Sequence, residues 1–352
     1  MPGEERIRLV VGGREMSDWV AYSVDSDLFM PADDFELQIM DFTGRHLREI
    51  RRSLGATVQL YVGRELILTG RLDEPEASIQ RSQRHLILRG RDLAGWLVDC
   101  CPDPDKSEAY RGFKNLTLKQ VAQKVCPEFG VNQVRVQGDG GRRIDLCQII
   151  PGQKVWDFLA EYAAKQRLGL WLDVDGTLII GQPSNKSPTK SLYHSPDPGR
   201  SGAVNAWDWS LTDSLAERYS KVVVQAQSKG DDYLYAEAVS QIQSEVQDEE
   251  LTAAGVHRPW VVKDHEGRDA AQAKRLAQGE INRGRREGFK LSVTVRGHTQ
   301  NGRVWRPGEL VKVEAGLLDL SEDLLLTGRT LRFDRQGSMT TDLRLSRAGV
   351  WP

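Results

Sequence analysis

Apolar residues alternate with charged or polar ones through most of the first hundred positions. Residues 6–11 alternate, Phe35-Glu-Leu-Gln-Ile39 alternates without a break, and Val58-Gln-Leu-Tyr-Val62, 66–68 and Leu86-Ile-Leu88 follow. A period of two places every second side chain on one face of a strand. Glycines and charged turns separate the runs, so the pattern predicts short strands of a barrel or sandwich over residues 1–98.

The period changes after Asp99. Cys101-Pro-Asp-Pro104 breaks the pattern. Thr117 is placed to cap a helix with Val121, Ala122 and Val125 on one face, stopped by Pro127 and Gly130. Val155, Trp156, Phe158, Leu159, Tyr162 and Ala163 then recur at helical spacing. Leu170-Trp-Leu-Asp-Val-Asp-Gly-Thr-Leu-Ile-Ile180 reads as a hairpin turning at Asp175-Gly176. These elements predict a helical and hairpin domain over 99–182. Residues 183–202 are rich in Pro, Ser, Lys and Gly and read as a linker or long loop. Strands return over 203–352, with Val222-Val-Val224 as a buried strand. A helix at about 269–286 is capped by Asp269 and carries Ala270, Ala273, Ala277 and Ile281 on one side.

The chain also repeats itself. Glu65-Leu-Ile-Leu-Thr-Gly-Arg71 recurs as Asp323-Leu-Leu-Leu-Thr-Gly-Arg329. Phe35-x-Leu-x-Ile39 recurs as Phe289-x-Leu-x-Val293, and Gly55-Ala-Thr-Val58 answers Gly308-Glu-Leu-Val311. The order is the same, and the second copy is slightly longer, with room for extra residues before Asp323. One module used twice explains this better than chance likeness among strands. The predicted fold class is therefore α+β and β-rich: two related β-barrel modules, discontinuous if they exchange strands, around an intervening helix-plus-hairpin region. A trimer of such a chain would present six similar modules around one axis.

Composition narrows the function. Charged residues make up 28% and the formal net charge is −2, so overall charge points to neither nucleic acid nor membrane. No run is long and apolar enough for a membrane span, and the first residues lack a signal-peptide pattern, so cytosolic folding is expected. Cys100, Cys101, Cys126 and Cys147 form no CxxC pair and are expected as small buried or half-buried thiols. His46, His85, His194, His257, His265 and His298 are scattered and read as surface or loop residues. Ser195 and Ser201 lack a nucleophile elbow. No catalytic residue, metal site or cofactor is expected.

Asp173-Val-Asp-Gly-Thr-Leu178 matches the Asp-x-Asp-Gly-Thr signature of haloacid-dehalogenase-like phosphatases, with Gly230-Asp-Asp232 as a candidate later motif. There the first aspartate is a nucleophile. Here the flanks lack alternating βα units, and Asp-Gly is what a tight hairpin requires, so the enzyme is a remote alternative. Two basic runs stand out, Arg45, His46, Arg48, Arg51 and Arg52, then Arg81, Arg84, Arg89 and Arg91. Without interleaved aromatics they read as strand ends or subunit contacts. The acidic Glu245, Asp248, Glu249 and Glu250 are candidates to pair with them across subunits. Trp351, near the terminus, is a candidate interface residue.

Taken in order, these motifs resemble the phage Mu tail protein P family, the contractile-tail baseplate hub, related to the hub part of VgrG. The resemblance runs along almost the whole chain. It is carried by Val11-Gly-Gly13, Ile67-Leu-Thr-Gly-Arg71, Leu88-Arg-Gly-Arg-Asp-Leu93, Phe113-Lys-Asn-Leu-Thr-Leu118, Pro151-Gly-Gln-Lys-Val-Trp156 and Gly302-Arg-Val-Trp-Arg-Pro-Gly308. The last departs from the family's usual Trp-Pro-Asn, though a turn still fits. The resemblance implies a homotrimeric ring, a symmetry adaptor between the six-fold tail tube and the three-fold central spike of a virion tail. Its implied partners are the spike, tube, tape-measure and baseplate wedge proteins, with DNA passing through the channel without sequence-specific binding. Assembly in the bacterial host cytoplasm is expected. A hub of a capsid-less injection apparatus, tailocin or type VI-like, is the alternative. The end at Pro352 leads to the expectation that the spike is a separate protein.

Overall fold

A computed structural model describes residues 5–41, 45–79, 84–138, 141–183, 186–194, 205–226, 242–264, 270–334, 339–349 and 351. The chain divides into two units. One comprises Met1–Trp209 and Ser292–Leu345, the other Ser210–Leu291 and Ser346–Pro352.

Both copies of the repeat enter a single sheet of 13 strands. In the first copy the strands lie side by side as Ala21–Asp27, Asp34–Met40, Arg84–Asp92, Glu65–Ile79, Thr57–Val62 and Ile7–Val11. In the second the order is Ala206–Asp213, Phe289–Arg296, Thr340–Arg347, Leu320–Asp334, Leu310–Ala315 and Lys190–His194. The recurring motifs occupy matching strands, as the sequence repeat requires. The extra residues of the second copy form a short turn, Gly316–Leu318, with Asp319 left-handed at φ 54°. The sixth position differs in direction. Ile7–Val11 runs antiparallel to Thr57–Val62, and Lys190–His194 runs parallel to Leu310–Ala315.

One strand joins the copies. Ala21–Asp27 pairs with Asp34–Met40 on one side and with Gly328–Asp334 on the other, both antiparallel. The two related modules expected from the repeat are thus hydrogen-bonded into one sheet. Alternation decides which face is buried: Ile7, Leu9, Val24, Phe35, Leu37, Val58, Leu60, Leu86 and Leu88 are all almost fully buried in one cluster. Each such side chain contributes about 1.5–3 kcal/mol. Trp19 closes this core and donates its indole N–H to the Ile7 carbonyl at 2.8 Å.

The glycines of Thr-Gly-Arg and Arg-Gly-Arg have a steric cause. A Cβ on Gly70 would lie 2.1 Å from the Arg91 carbonyl oxygen, and one on Gly90 2.1 Å from that of Arg71. The two strands approach too closely there for any side chain, next to a register shift between Leu72 and Glu74.

Residues 94–182 pack around their own core, with Val121, Ala122, Val125, Val155, Phe158 and Leu159 inside. Thr117 caps Leu118–Val125 through a capping box with Gln120. The chain then leaves the helix through the turn Cys126–Phe129 to Gly130 at φ 85°. Gly169–Leu172 and Leu178–Gly181 form the expected antiparallel hairpin.

Three expectations change. The first hundred residues include two short helices, Arg45–Arg51 and Ala94–Asp99, where only strands were read. The polar stretch 183–202 contains the strand Lys190–His194, held by pairing to Leu310–Ala315, while 184–185 and 195–204 lie outside the described residues. The late helix spans Ala270–Gly288. It buries Ala273, Ala277 and Ile281 but leaves Ala270 exposed, and Asp269 lies outside the described residues.

The second unit is a three-stranded sheet, Ile242–Gln247, Lys221–Ala226 and Pro259–Asp264, with Val222 and Val224 packed on the helix through Ala273, Ala277 and Ile281. In chain order it lies between Ala206–Asp213 and Phe289–Arg296. The first copy joins the corresponding strands with residues 28–33 alone.

Candidate functional site

The Asp-x-Asp-Gly-Thr motif sits at the tip of the hairpin. The Asp175 carboxylate accepts from the Thr177 N–H at 2.9 Å, and Gly176 takes φ 83°. Asp173 is ion-paired with Arg135. After Thr177 the chain returns as a strand between Gly169–Leu172 and Val134–Gln137. Both aspartates therefore serve a turn and an ion pair, which replaces the phosphatase reading. Gly230-Asp-Asp232 lies outside the described residues.

The most unusual chemistry lies near the join between the repeat copies. A cavity of about 70 Å³ is lined by Ser26, Asp33, Thr69, Asp92, Trp171 and Arg329, among others. Arg329, the arginine of the second Thr-Gly-Arg, is 1% exposed. It donates to the Trp305 carbonyl and, at 3.5 Å, to the Ile67 carbonyl of the first copy. Burial lowers its pKa to about 10, so it stays charged at neutral pH. Asp33 accepts from the Asp27 N–H at 2.9 Å, and Asp92 from the Ala94 N–H at 2.9 Å. Desolvation raises Asp33 to about 7 and Asp92 well above the usual carboxylate range, and the charge of Asp33 further opposes ionisation of Asp92. Both shifts favour the protonated forms. The Thr69 hydroxyl and the Nε of Arg329 have no protein partner among the described residues. They leave the cavity suited to ordered water.

Arg71, the first copy's equivalent of Arg329, makes a different tie. It lies 3.6 Å over the Trp96 ring and donates to the Gly55 carbonyl at 3.0 Å and the Phe129 carbonyl at 3.1 Å. One arginine of the repeat secures the copies to each other and the other secures the middle region. The repeat located both residues. Their roles depend on partners far away in sequence.

Several sequence readings are corrected here. His298 is fully buried and not a surface residue. The Thr341 hydroxyl donates to the Gly297 carbonyl at 2.7 Å, so it accepts from His298 Nδ1, and Nε2 accepts from the Tyr22 hydroxyl at 2.9 Å. Burial holds His298 neutral, at about 3. Within the chain, three members of the acidic stretch pair inside their own unit. Asp248 meets Arg218 and Arg285, Glu250 meets Arg218 and Arg347, and Glu245 meets Lys221. In the basic runs, Arg89 reaches Glu36, Glu74 and Glu76, and Arg91 reaches Asp73 and Asp99. Arg81 lies outside the described residues. Trp351 is 7% exposed and its carbonyl accepts from Asn282 at 3.0 Å, so it docks on its own unit's helix. The thiols fit expectation: Cys126 and Cys147 are buried, Cys100 and Cys101 half-buried.

Three family models match in succession. They are the Mu phage baseplate assembly protein GpP-like N-terminal domain over residues 6–92, the baseplate hub protein gp44-like second domain over 94–182, and a tail protein C-terminal domain over 284–350. The chain belongs to the Mu-type baseplate hub family. Baseplate hub protein gp44 of Escherichia phage Mu is 21% identical to it, over 97% of this chain and 87% of that protein. The tail protein of Neisseria meningitidis MC58 superposes with a TM-score of 0.82 at 28% identity, covering 98% and 97% of the two chains. The fold extends to the E. coli c3393 protein, described as a type VI secretion component similar to T4 tail proteins gp27 and gp5. Here the TM-score is 0.59 at 11% identity, with 98% and 80% covered. A 35% identical stretch with yeast mitochondrial aconitate hydratase covers 44% of this chain and 20% of that enzyme, too little to define a family. As a member of the hub family, the chain is a structural baseplate protein of a Mu-like phage tail, present in the virion, and not an enzyme. No helix among the described residues is long and apolar enough to cross a membrane.

Proposed function

We propose that this hub protein forms a homotrimeric ring that joins the six-fold tail tube to the three-fold central spike of a contractile tail. The observation that carries the reading is the duplicated module: two copies in one chain, with the same strand order, within one sheet. Three chains then offer six similar faces to a six-fold partner while remaining three-fold to the spike. Spike, tube, tape-measure and wedge proteins are its neighbours. DNA passes through the channel without sequence-specific contacts, and the ring is assembled in the host cytoplasm. Service in a capsid-less injection apparatus is the second reading, supported by the fold shared with the c3393 protein.

The test is light scattering across a dilution series, followed by class averages of the particle in electron micrographs. Three times the 39.5 kDa chain mass, with a ring of six similar densities, is the expected result. A mass of one or two chains at every concentration refutes the ring.

A further inference from the structure

The internal join between the repeat copies supplies a template for a join between chains. The Ala21–Asp27 strand leads the first copy, and its far edge covers Gly328–Asp334 of the second. Its counterpart at the head of the second copy is Ala206–Asp213, the end strand of the sheet among the described residues. By the Thr-Gly-Arg alignment, the counterpart of Gly328–Asp334 is Gly70–Glu76, within Glu65–Ile79. There Thr57–Val62 pairs as far as Arg71, Gly55 and Ala56 bond the backbone of Leu72, and Arg84–Asp92 occupies the opposite edge, so among the described residues the unpaired edge begins at Asp73.

Burial shows what is missing. Gly328–Leu331 are all buried beside their partner strand, whereas their counterparts Arg71 and Asp73 are half-buried, and further along Ala77 is exposed and Ile79 is 78% exposed. Tyr22 and Val24 are 5% and 0% exposed on the joining strand. Trp207, Trp209 and Leu211 alternate in the same way on its counterpart, yet Trp207 is 51% exposed and the other two are half-exposed. A strand edge with an apolar face in the open is a template for pairing.

We propose that Ala206–Asp213 of one chain adds to the Asp73–Ile79 edge of a second copy of this chain, repeating between chains the join made within each. This rests on the ring reading and names the surface that closes it. The contact is head-to-tail, because the two edges differ, and a head-to-tail contact closes into a ring when its rotation permits. Pro75 lacks an N–H, so this edge offers one donor fewer than its internal template. Trp207 and Trp209 supply the apolar contact instead.

The test places cysteines at exposed positions, Glu76→Cys and Asp208→Cys, singly and together in the full chain, and treats each with a short bismaleimide. The unsubstituted chain, with Cys100 and Cys101, sets the background. The double variant is expected to give bands of two and three chains on a denaturing gel, and each single variant none above background. Trp207→Lys is expected to abolish those bands in the double variant and lower the mass by light scattering to one chain. A trimer mass without linkage in the double variant overturns the strand assignment and leaves the ring standing. So does linkage in a single variant alone, which marks a contact of like edges. A one-chain mass with no linkage overturns both and marks Pro75 and its charged neighbours as guards of a bare edge.

Discussion

The Asp33–Asp92 pair makes stability depend on pH in a direction opposite to that of most carboxylates. Asp33 titrates at about 7 in the folded chain against an ordinary 3.8, chiefly because its carboxyl group is desolvated. The folded state therefore holds a proton that the unfolded state gives up between pH 4 and 7. Stability from this group is full below about pH 4 and is lost as pH rises towards 7. At about 1.4 kcal/mol per tenfold change in proton affinity, the ceiling is about 4 kcal/mol. Asp33 keeps part of its surface accessible at the cavity, so solvent screening lowers the expected effect to about 2 kcal/mol. Asp33→Asn keeps a carbonyl oxygen for the Asp27 N–H and removes the titration. Urea unfolding from pH 4.5 to 7.5 should show the native chain losing about 2 kcal/mol relative to the variant. Parallel pH profiles for the two chains, or a native chain that gains on the variant as pH rises, would refute the argument.

Other substitutions test other parts of the fold. Gly70→Ala drives a Cβ into a backbone carbonyl and should lower the melting temperature more than Gly328→Ala, whose Cβ first meets the ends of the Arg344 and Asp27 side chains. Equal shifts would contradict the close approach. Asp248→Ala removes an N-cap and strips a partner from Arg218, itself 2% exposed, for a loss of about 3–5 kcal/mol in urea unfolding at pH 7. Asp248 titrates at about 2 when folded, below its ordinary 3.8, so its contribution holds above about pH 4 and is lost as pH falls through 2. The variant should therefore converge on the native chain in acid. Thr117→Ala should cost about 1 kcal/mol through the lost capping box, read from the melting curve.

Local elements were legible where the code is local. The alternation at Phe35, Leu37 and Ile39, the cap at Thr117 and the turn at Asp175-Gly176 need only near neighbours, and each is present. The repeat also gave the matching strands, because a Thr-Gly-Arg at a close crossing leaves a mark that alternation alone does not. What escaped depends on distant partners. Nothing near Ala21–Asp27 indicates pairing with Gly328–Asp334, some three hundred residues on. Lys190–His194 lies in a polar stretch, and its strand exists because Leu310–Ala315 offers an edge. His298 looks like a turn residue until Tyr22 and Thr341 close around it. The cavity residues Asp33, Asp92 and Arg329 come from three separated segments, so no window of sequence contains the cluster.

The join made by Ala21–Asp27 also bears on how assembly depends on dilution. Its two sides are tethered by one polypeptide, so they meet at an effective concentration set by chain length, on the order of millimolar. Expression level cannot weaken that join, whereas any contact between separate chains loosens as copy number falls. Duplication within one gene product converts a contact governed by abundance into one fixed at translation, leaving fewer encounters to be won by diffusion.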